Sequence, residues 1–195
     1  MSTTPERSKY LEALILAGEA HEGQFIKGTS IPYITHPVGV ARLVGLYGGD
    51  LDQQIAGLLH DTLEDGGPHY RAPIHEKFGA GVLAIVEGCT DGVPDASGQK
   101  EPWKERKVRY LQHLPHADRR TLLVSGCDKL FNALAIVEDL RRIGPAVFQR
   151  FTAKREGTLW YYGQLAQIFT NVGMPMASDL TAAVLSMHQE PSAAM

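Results

Sequence analysis

The chain has 195 residues, 44% of them hydrophobic, and a formal net charge of −3. That length holds one domain with a sizeable core. The weak negative charge excludes sequence-independent nucleic-acid binding through a global basic field, and no apolar run reaches the ~18 residues of a membrane span.

The pattern predicts an almost wholly helical chain. Glu6 to about Glu22 carries Leu11, Leu14, Ile15 and Ala17 at helical spacing. Only around Thr29 to Tyr33 is a short strand admissible. A second helix runs from Pro37, whose missing N–H costs nothing in a first turn, to Tyr47, and Gly48-Gly49 stops it. Leu51 to about Glu64 is the third, ended by Gly66-Gly67-Pro68. Ala72 to Phe78 and Gly81 to about Cys89 read as a pair of short helices. Asp91 to Pro102, rich in Gly, Pro, Asp and Ser, is a loop. Trp103 to Leu114, Ala117 to about Ile143 and Thr152 to Phe169 follow, with a last helix from Ala177 to Met187 and a fraying tail from Glu190 to Met195. There is no internal repeat and no linker. The fold class is all-α, a single helical bundle over residues 1–195 with its core at about 8–170.

Three places in this pattern carry groups that an apolar helix has no reason to hold. In Leu58-Leu59-His60-Asp61-Thr62-Leu63-Glu64-Asp65, four metal- or proton-binding side chains sit among leucines. On a helix His60 stacks over Glu64 and Asp61 over Asp65, because residues four apart share a face. His36 precedes Pro37 at a helix mouth. Asp128 and Asn132 stand four apart on a greasy helix and need partners. Taken one at a time, each has a plain explanation: a surface pair, a cap, a satisfied polar pair. Taken together they offer two nitrogens and two carboxylates. Charges in apolar surroundings are costly unless a partner or a metal compensates them, and a mixed imidazole and carboxylate set suits a divalent first-row ion.

His36, His60-Asp61 and Asp128 together match the H…HD…D signature of the HD-domain metal-dependent phosphohydrolases. The longer runs Pro32-Tyr33-Ile34-Thr35-His36-Pro37, Ala56 to Asp65 and Asp128-Lys129-Leu130-Phe131-Asn132 resemble the hydrolase domain of RelA/SpoT proteins, in the form of the stand-alone small alarmone hydrolases that include the metazoan SpoT homologs. His21-Glu22-Gly23-Gln24 and Trp103-Lys104-Glu105-Arg106-Lys107 fit the same pattern. The resemblance implies an HD-domain helical bundle in which His36, His60, Asp61 and Asp128 hold one Mn2+ ion. It makes Glu64 and Asp65 the catalytic acidic pair, gives Asn132 a substrate contact, and sets Lys27 at a cationic position of the nucleotide site. The implied reaction removes the 3′-pyrophosphate from (p)ppGpp or a similar alarmone, a small-molecule nucleotide substrate. A chain of this length has no room for the synthetase half of long RelA/SpoT proteins.

The chemistry is consistent with the residues themselves. A divalent ion makes hydroxide available near neutral pH, and a carboxylate next to the ligands can orient or deprotonate the water. Two adjacent carboxylates beside a cation have pKa values pushed apart, which suits separate acid and base roles.

Departures from the family pattern bear on the base. Ile26 stands where the family has Arg, Leu134 and Ala135 replace polar residues, and Ser125 and Cys127 replace Lys and Ala before Asp128. Guanine and adenine alarmones both stay open. The basic run Lys100, Lys104, Arg106, Lys107 and Arg109 is either the solvated face of a helix or a phosphate-binding strip; Lys104, Arg106 and Lys107 are the candidate substrate contacts. The aromatic run Trp160-Tyr161-Tyr162 reads as core ahead of a base-stacking platform. His69, His75, His113, His116 and His188 match no ligand position and read as surface residues. Gly66 to Pro73 directly follows the acidic pair, where it would cover the site. Other readings are an HD-type 5′-nucleotidase or a silent alarmone-binding module. Cys89 and Cys127 lie far apart in apolar runs, as free thiols do in a reducing compartment. Met1 to Lys9 holds no signal-peptide core, so the expected location is the cytoplasm.

Overall fold

Two aspartates start the helices that carry the polar groups. In the computed structural model, which describes residues 5–92 and 101–189, the helices are α1 (Pro5–Ala20), α2 (Thr35–Leu46), α3 (Leu51–Leu59), α4 (Arg71–Cys89), α5 (Trp103–His113), α6 (Arg119–Ile143), α7 (Lys154–Asn171) and α8 (Ala177–His188). Asp50 caps α3 in a capping box: it accepts from the Gln53 N–H at 2.9 Å, and the Gln53 side chain accepts from the Asp50 N–H at 3.1 Å. Asp118 caps α6, accepting from the N–H groups of Arg120 and Thr121. The described residues form no strand, only an isolated bridge between Phe25 and Pro32. Lys100, most of the 91–102 loop and the 190–195 tail lie outside the described residues.

The chain is all-α, as its periodicity predicts. The expected pair of short helices lies end to end as α4, broken at Gly79, whose φ of 87° few side chains tolerate. The third helix is shorter than expected and needs correction. Its α geometry ends at Leu59, not Glu64, and Thr62–Gly66 form a π-helical turn closed by Gly67 N–H to Thr62 O at 3.1 Å. Asp61 takes φ −95°, ψ −3° between the two. Neighbouring side chains on an α-helix point about 100° apart. Leaving α geometry at Asp61 lets His60 and Asp61 turn to one centre, at the expense of the straight helical face expected to continue through Glu64 and Asp65. Turns of this kind recur at functional sites.

Helices α2, α3 and α6 pack on one another, with α1 and α4 against α3, and α7 and α8 beyond α6. Ile55, Leu58 and Leu59 are fully buried, each worth about 1.5–3 kcal/mol over exposure. That outweighs the ~1–3 kcal/mol at stake in burying a polar group such as the next residue, His60, were it left unbonded. α2 comes close to α6 at Gly39, where a Cβ would stand 2.1 Å from the Phe131 ring.

Candidate active site

Four side chains from three helical segments converge below the surface. His36 comes from the first turn of α2, His60 and Asp61 from the end of α3, and Asp128 from the middle of α6. The two imidazole Nε2 atoms lie 3.2 Å apart. His36 Nε2 is 3.4 Å from Asp61 Oδ2 and 3.2 Å from Asp128 Oδ1; His60 Nε2 is 3.0 Å and 3.5 Å from the same two oxygens. His36, His60 and Asp128 are buried.

A surrounding set of bonds aims these atoms. His60 Nδ1 lies 2.8 Å from the Gly57 carbonyl, which only accepts, so Nδ1 carries the hydrogen and Nε2 offers a lone pair inward. The Tyr33 hydroxyl donates to Asp61 Oδ2 at 2.6 Å. Asn132 Nδ2 donates to Asp128 Oδ1 at 2.7 Å, and Lys129 Nζ to Oδ2 at 2.6 Å. The Phe131 ring packs 5.3 Å from that of His36.

Four lone-pair donors this close repel unless positive charge stands among them. Burial pulls both imidazoles down, but the hydrogen bonds and charges of Asp61 and Asp128 outweigh it and hold both pKa values above the ordinary one. Burial pushes both carboxyls up, yet His60 beside Asp61 and Lys129 beside Asp128 hold them well below the usual range. The centre is built to receive positive charge, and its nitrogen and oxygen donors fit a divalent metal ion.

Next to it lies a cleft of about 390 Å³ lined by Lys27, Glu64, Trp103, Lys107, Lys129 and Asn132, with Tyr161 and Tyr162 behind. Asn132 joins cleft and centre. Glu64 sits in the π-helical turn, and Asp65 follows it, its carbonyl accepting from Gln24 Nε2 at 3.3 Å. Arg106 Nη1 is 3.8 Å from Glu64 Oε1, and Arg106 and Lys107 both pair with Asp91. Lys104 turns elsewhere, over the Trp160 indole. Arg109 pairs with Glu101 at the surface. Ile26, Leu134 and Ala135 do not line the cleft, and Leu134 is 47% exposed. Tyr161 and Tyr162 are buried like core residues and still line the cleft wall. His69, His75, His113, His116 and His188 are exposed, while His21 is buried against the Tyr33 ring, and Pro68 and Arg71 line a separate groove rather than this cleft.

Three residues of this arrangement carry no role in the sequence reading: Tyr33, Lys129 and Asp91. Lys129 had a signal, a charge in an apolar helix; Asp91, in a loop, had none.

The sequence matches the family described as HD domain over residues 13–159. The chain belongs to the HD-domain family. Among HD-domain proteins it is 39% identical over 138 residues to the Xenopus tropicalis guanosine-3′,5′-bis(diphosphate) 3′-pyrophosphohydrolase MESH1, covering 69% of this chain and 71% of that one. It is 36% identical over 143 residues to the Homo sapiens MESH1, covering 72% and 74%. A solved metazoan ortholog of SpoT, described as hydrolysing ppGpp, superposes with a TM-score of 0.75 over 96% of this chain and 99% of its own; at 22% identity this likeness speaks for the HD fold alone.

Proposed function

We propose that the chain is a metal-dependent 3′-pyrophosphohydrolase of nucleotide alarmones, (p)ppGpp or (p)ppApp, with manganese as its working ion. One observation carries the reading. The two-nitrogen, two-carboxylate centre adjoins, through Asn132, a cleft whose cations are Lys27, Lys107 and Lys129. A doubly phosphorylated nucleotide needs that pairing: a centre at the scissile phosphorus and cations for the remaining phosphates. The MESH1 proteins it resembles carry the activity in their names.

His36, His60, Asp61 and Asp128 would hold the ion, which when bound lowers the pKa of water and offsets charge on a phosphoryl oxygen. The chain's own residues do the rest. Glu64 takes the proton of the attacking water as the oxygen closes on the 3′ phosphorus. The bond from phosphorus to the ribose 3′ oxygen breaks, and Asp65 returns a proton to that oxygen. Lys27, Lys107 and Lys129 bind phosphate oxygens, Arg106 flanks Glu64, and Asn132 orients Asp128 and the substrate. No helix among the described residues is long and apolar enough to cross a membrane, and soluble nucleotide substrates suit a cytoplasmic setting.

The test is a panel of ppGpp, pppGpp, ppApp, pppApp and simple monophosphates with manganese, products resolved by chromatography. Release of pyrophosphate from the alarmones is the expected result; cleavage of monophosphates alone would replace the reading with a 5′-nucleotidase, and binding without turnover with a silent module. Ile26 does not itself line the cleft but precedes Lys27, which does, and stands where the family has a cation; ppApp should be cleaved at least as well as ppGpp, and Ile26→Arg should shift kcat/KM toward guanine. A wild type strongly selective for ppGpp, unmoved by that change, refutes the adenine preference.

A further inference from the structure

Asp91 lies outside every motif of the sequence and holds two cations of the site at once. Helix α4 ends at Cys89, and Thr90 turns extended, φ −75° and ψ 121°, its hydroxyl donating back to the Val86 carbonyl at 3.0 Å. This carries Asp91 across to α5. One carboxylate oxygen pairs with Arg106 Nη1 and the other with Lys107 Nζ. All three side chains are mostly buried: Asp91 is 5% exposed, Arg106 11% and Lys107 15%. Gly92 makes room for the Arg106 stem, whose Cδ would stand 3.1 Å from a Cβ there.

Both cations face the reacting side of the molecule. Lys107 lines the cleft with Lys129, its ammonium 5.0 Å from the centre of the Tyr161 ring. Arg106 stands 3.8 Å from Glu64. Two lysines in one buried wall repel, and burial and the charge of Lys129 pull the Lys107 pKa down. Asp91 opposes both effects. For Arg106 it is a second carboxylate, and it takes the direct ion pair while Glu64 remains at 3.8 Å.

We infer that Asp91 is a positioning residue: its carboxylate fixes Lys107 in the cleft as a phosphate-binding cation and holds Arg106 away from full pairing with Glu64. It acts through these two side chains and touches no substrate. Removing its charge frees Lys107 to withdraw and lets Arg106 close on Glu64, so affinity and turnover fall together while the metal centre stays intact.

The inference rests on the phosphate-binding reading of the cleft. The test is a mutant cycle of Asp91→Asn, Lys107→Met and the double variant on the metal-loaded protein. GDP binding is read by calorimetry, kcat and KM are read with the alarmone that the wild type cleaves, and metal content and melting are controls. Asp91→Asn should keep its metal, weaken GDP about tenfold and lower kcat. The double variant should bind GDP no worse than Lys107→Met alone, because Asp91 acts on the phosphate through that lysine. Asp91→Glu, which keeps the charge, should recover part of the affinity. If the Asn chain fails to fold, the cycle is run with the Glu variant under the same additivity criterion. Additive losses, a GDP affinity indifferent to Asp91, or a Glu variant as weak as the Asn one overturn the inference alone. A wild type that neither binds GDP nor cleaves an alarmone overturns the functional reading together with it.

Discussion

Asp128 faces two ways: its Oδ1 stands 3.2 Å from His36 Nε2, and its Oδ2 accepts from Lys129 Nζ at 2.6 Å. A single carboxylate thus serves both the histidine-aspartate centre and a half-buried cation of the cleft. Asp61 serves the centre and the neutral Tyr33 hydroxyl.

The two aspartates should therefore fail differently. Asp61→Ala and Asp128→Ala both lose metal, and with it stability, since binding energy at such a site is folding energy. Asp128→Ala also strands the Lys129 ammonium, a loss on the order of 3–5 kcal/mol for a broken buried pair. Thermal melts with and without chelator check this. Chelator should abolish wild-type activity and lower its melting temperature, and manganese should restore both. Between the apo forms, Asp128→Ala should melt below Asp61→Ala; equal apo melting would contradict the pairing with Lys129.

Chemistry should separate from binding at Glu64 and Asp65. Glu64→Gln with Asp65→Asn should keep fold and metal and lose at least ~10²-fold in kcat, the usual contribution of an acid–base group. Metal analysis alongside steady-state rates decides it. Near-normal turnover in a loaded double variant removes the assignment.

Tyr33 supports Asp61 through its hydroxyl. Burial, then the charge of Asp61, raises its phenol pKa, so it stays a donor at every working pH. Tyr33→Phe should fold normally and weaken metal affinity ~10–100-fold, as expected when the partner of a ligand is lost. A metal titration gives the answer, and unchanged affinity would make the hydrogen bond incidental.

Asp118 links the site to acid stability through α6. Burial alone would raise its carboxyl, but the Thr121 hydroxyl and the N–H groups of Thr121 and Arg120 hold it below the ordinary value. A depressed folded-state pKa means stability that is complete above the unfolded value of ~3.9 and lost as pH falls through the folded one. Asp118→Ala should cost ~1 kcal/mol at pH 7 and progressively less as the medium is acidified below the unfolded value. Denaturant melts across that range should converge for the two chains; parallel curves would exclude the cap as the source.

The four converging side chains are legible in the sequence because each is a charge or an imidazole set in an apolar run, where solvent cannot account for it. The place where α3 gives way is not legible: Gly66-Gly67 marks a stop, but hydrophobic period alone does not locate the departure from α geometry at Asp61. In the basic run, composition groups Lys104 with Lys107, and three residues apart on α5 they share a face toward α7; their partners there, Trp160 and Tyr161, tell them apart. Lys107 shares a face with Trp103, four residues back, and both line the cleft; Lys104 points to Trp160. Asp91 is silent in sequence because its role depends on where a chain reversal delivers it.

The convergence of residue 36 with residues 60, 61 and 128 also makes the centre a clip across distant stretches of chain. Contacts so far apart in sequence close large loops and form only once the helices between them are in place. An ion that binds only the assembled centre slows the opening of the whole bundle, and proteases act on what opens. The lifetime of the protein should then follow the free concentration of that ion, so a fall in divalent metal would deplete the chain itself as well as empty its site.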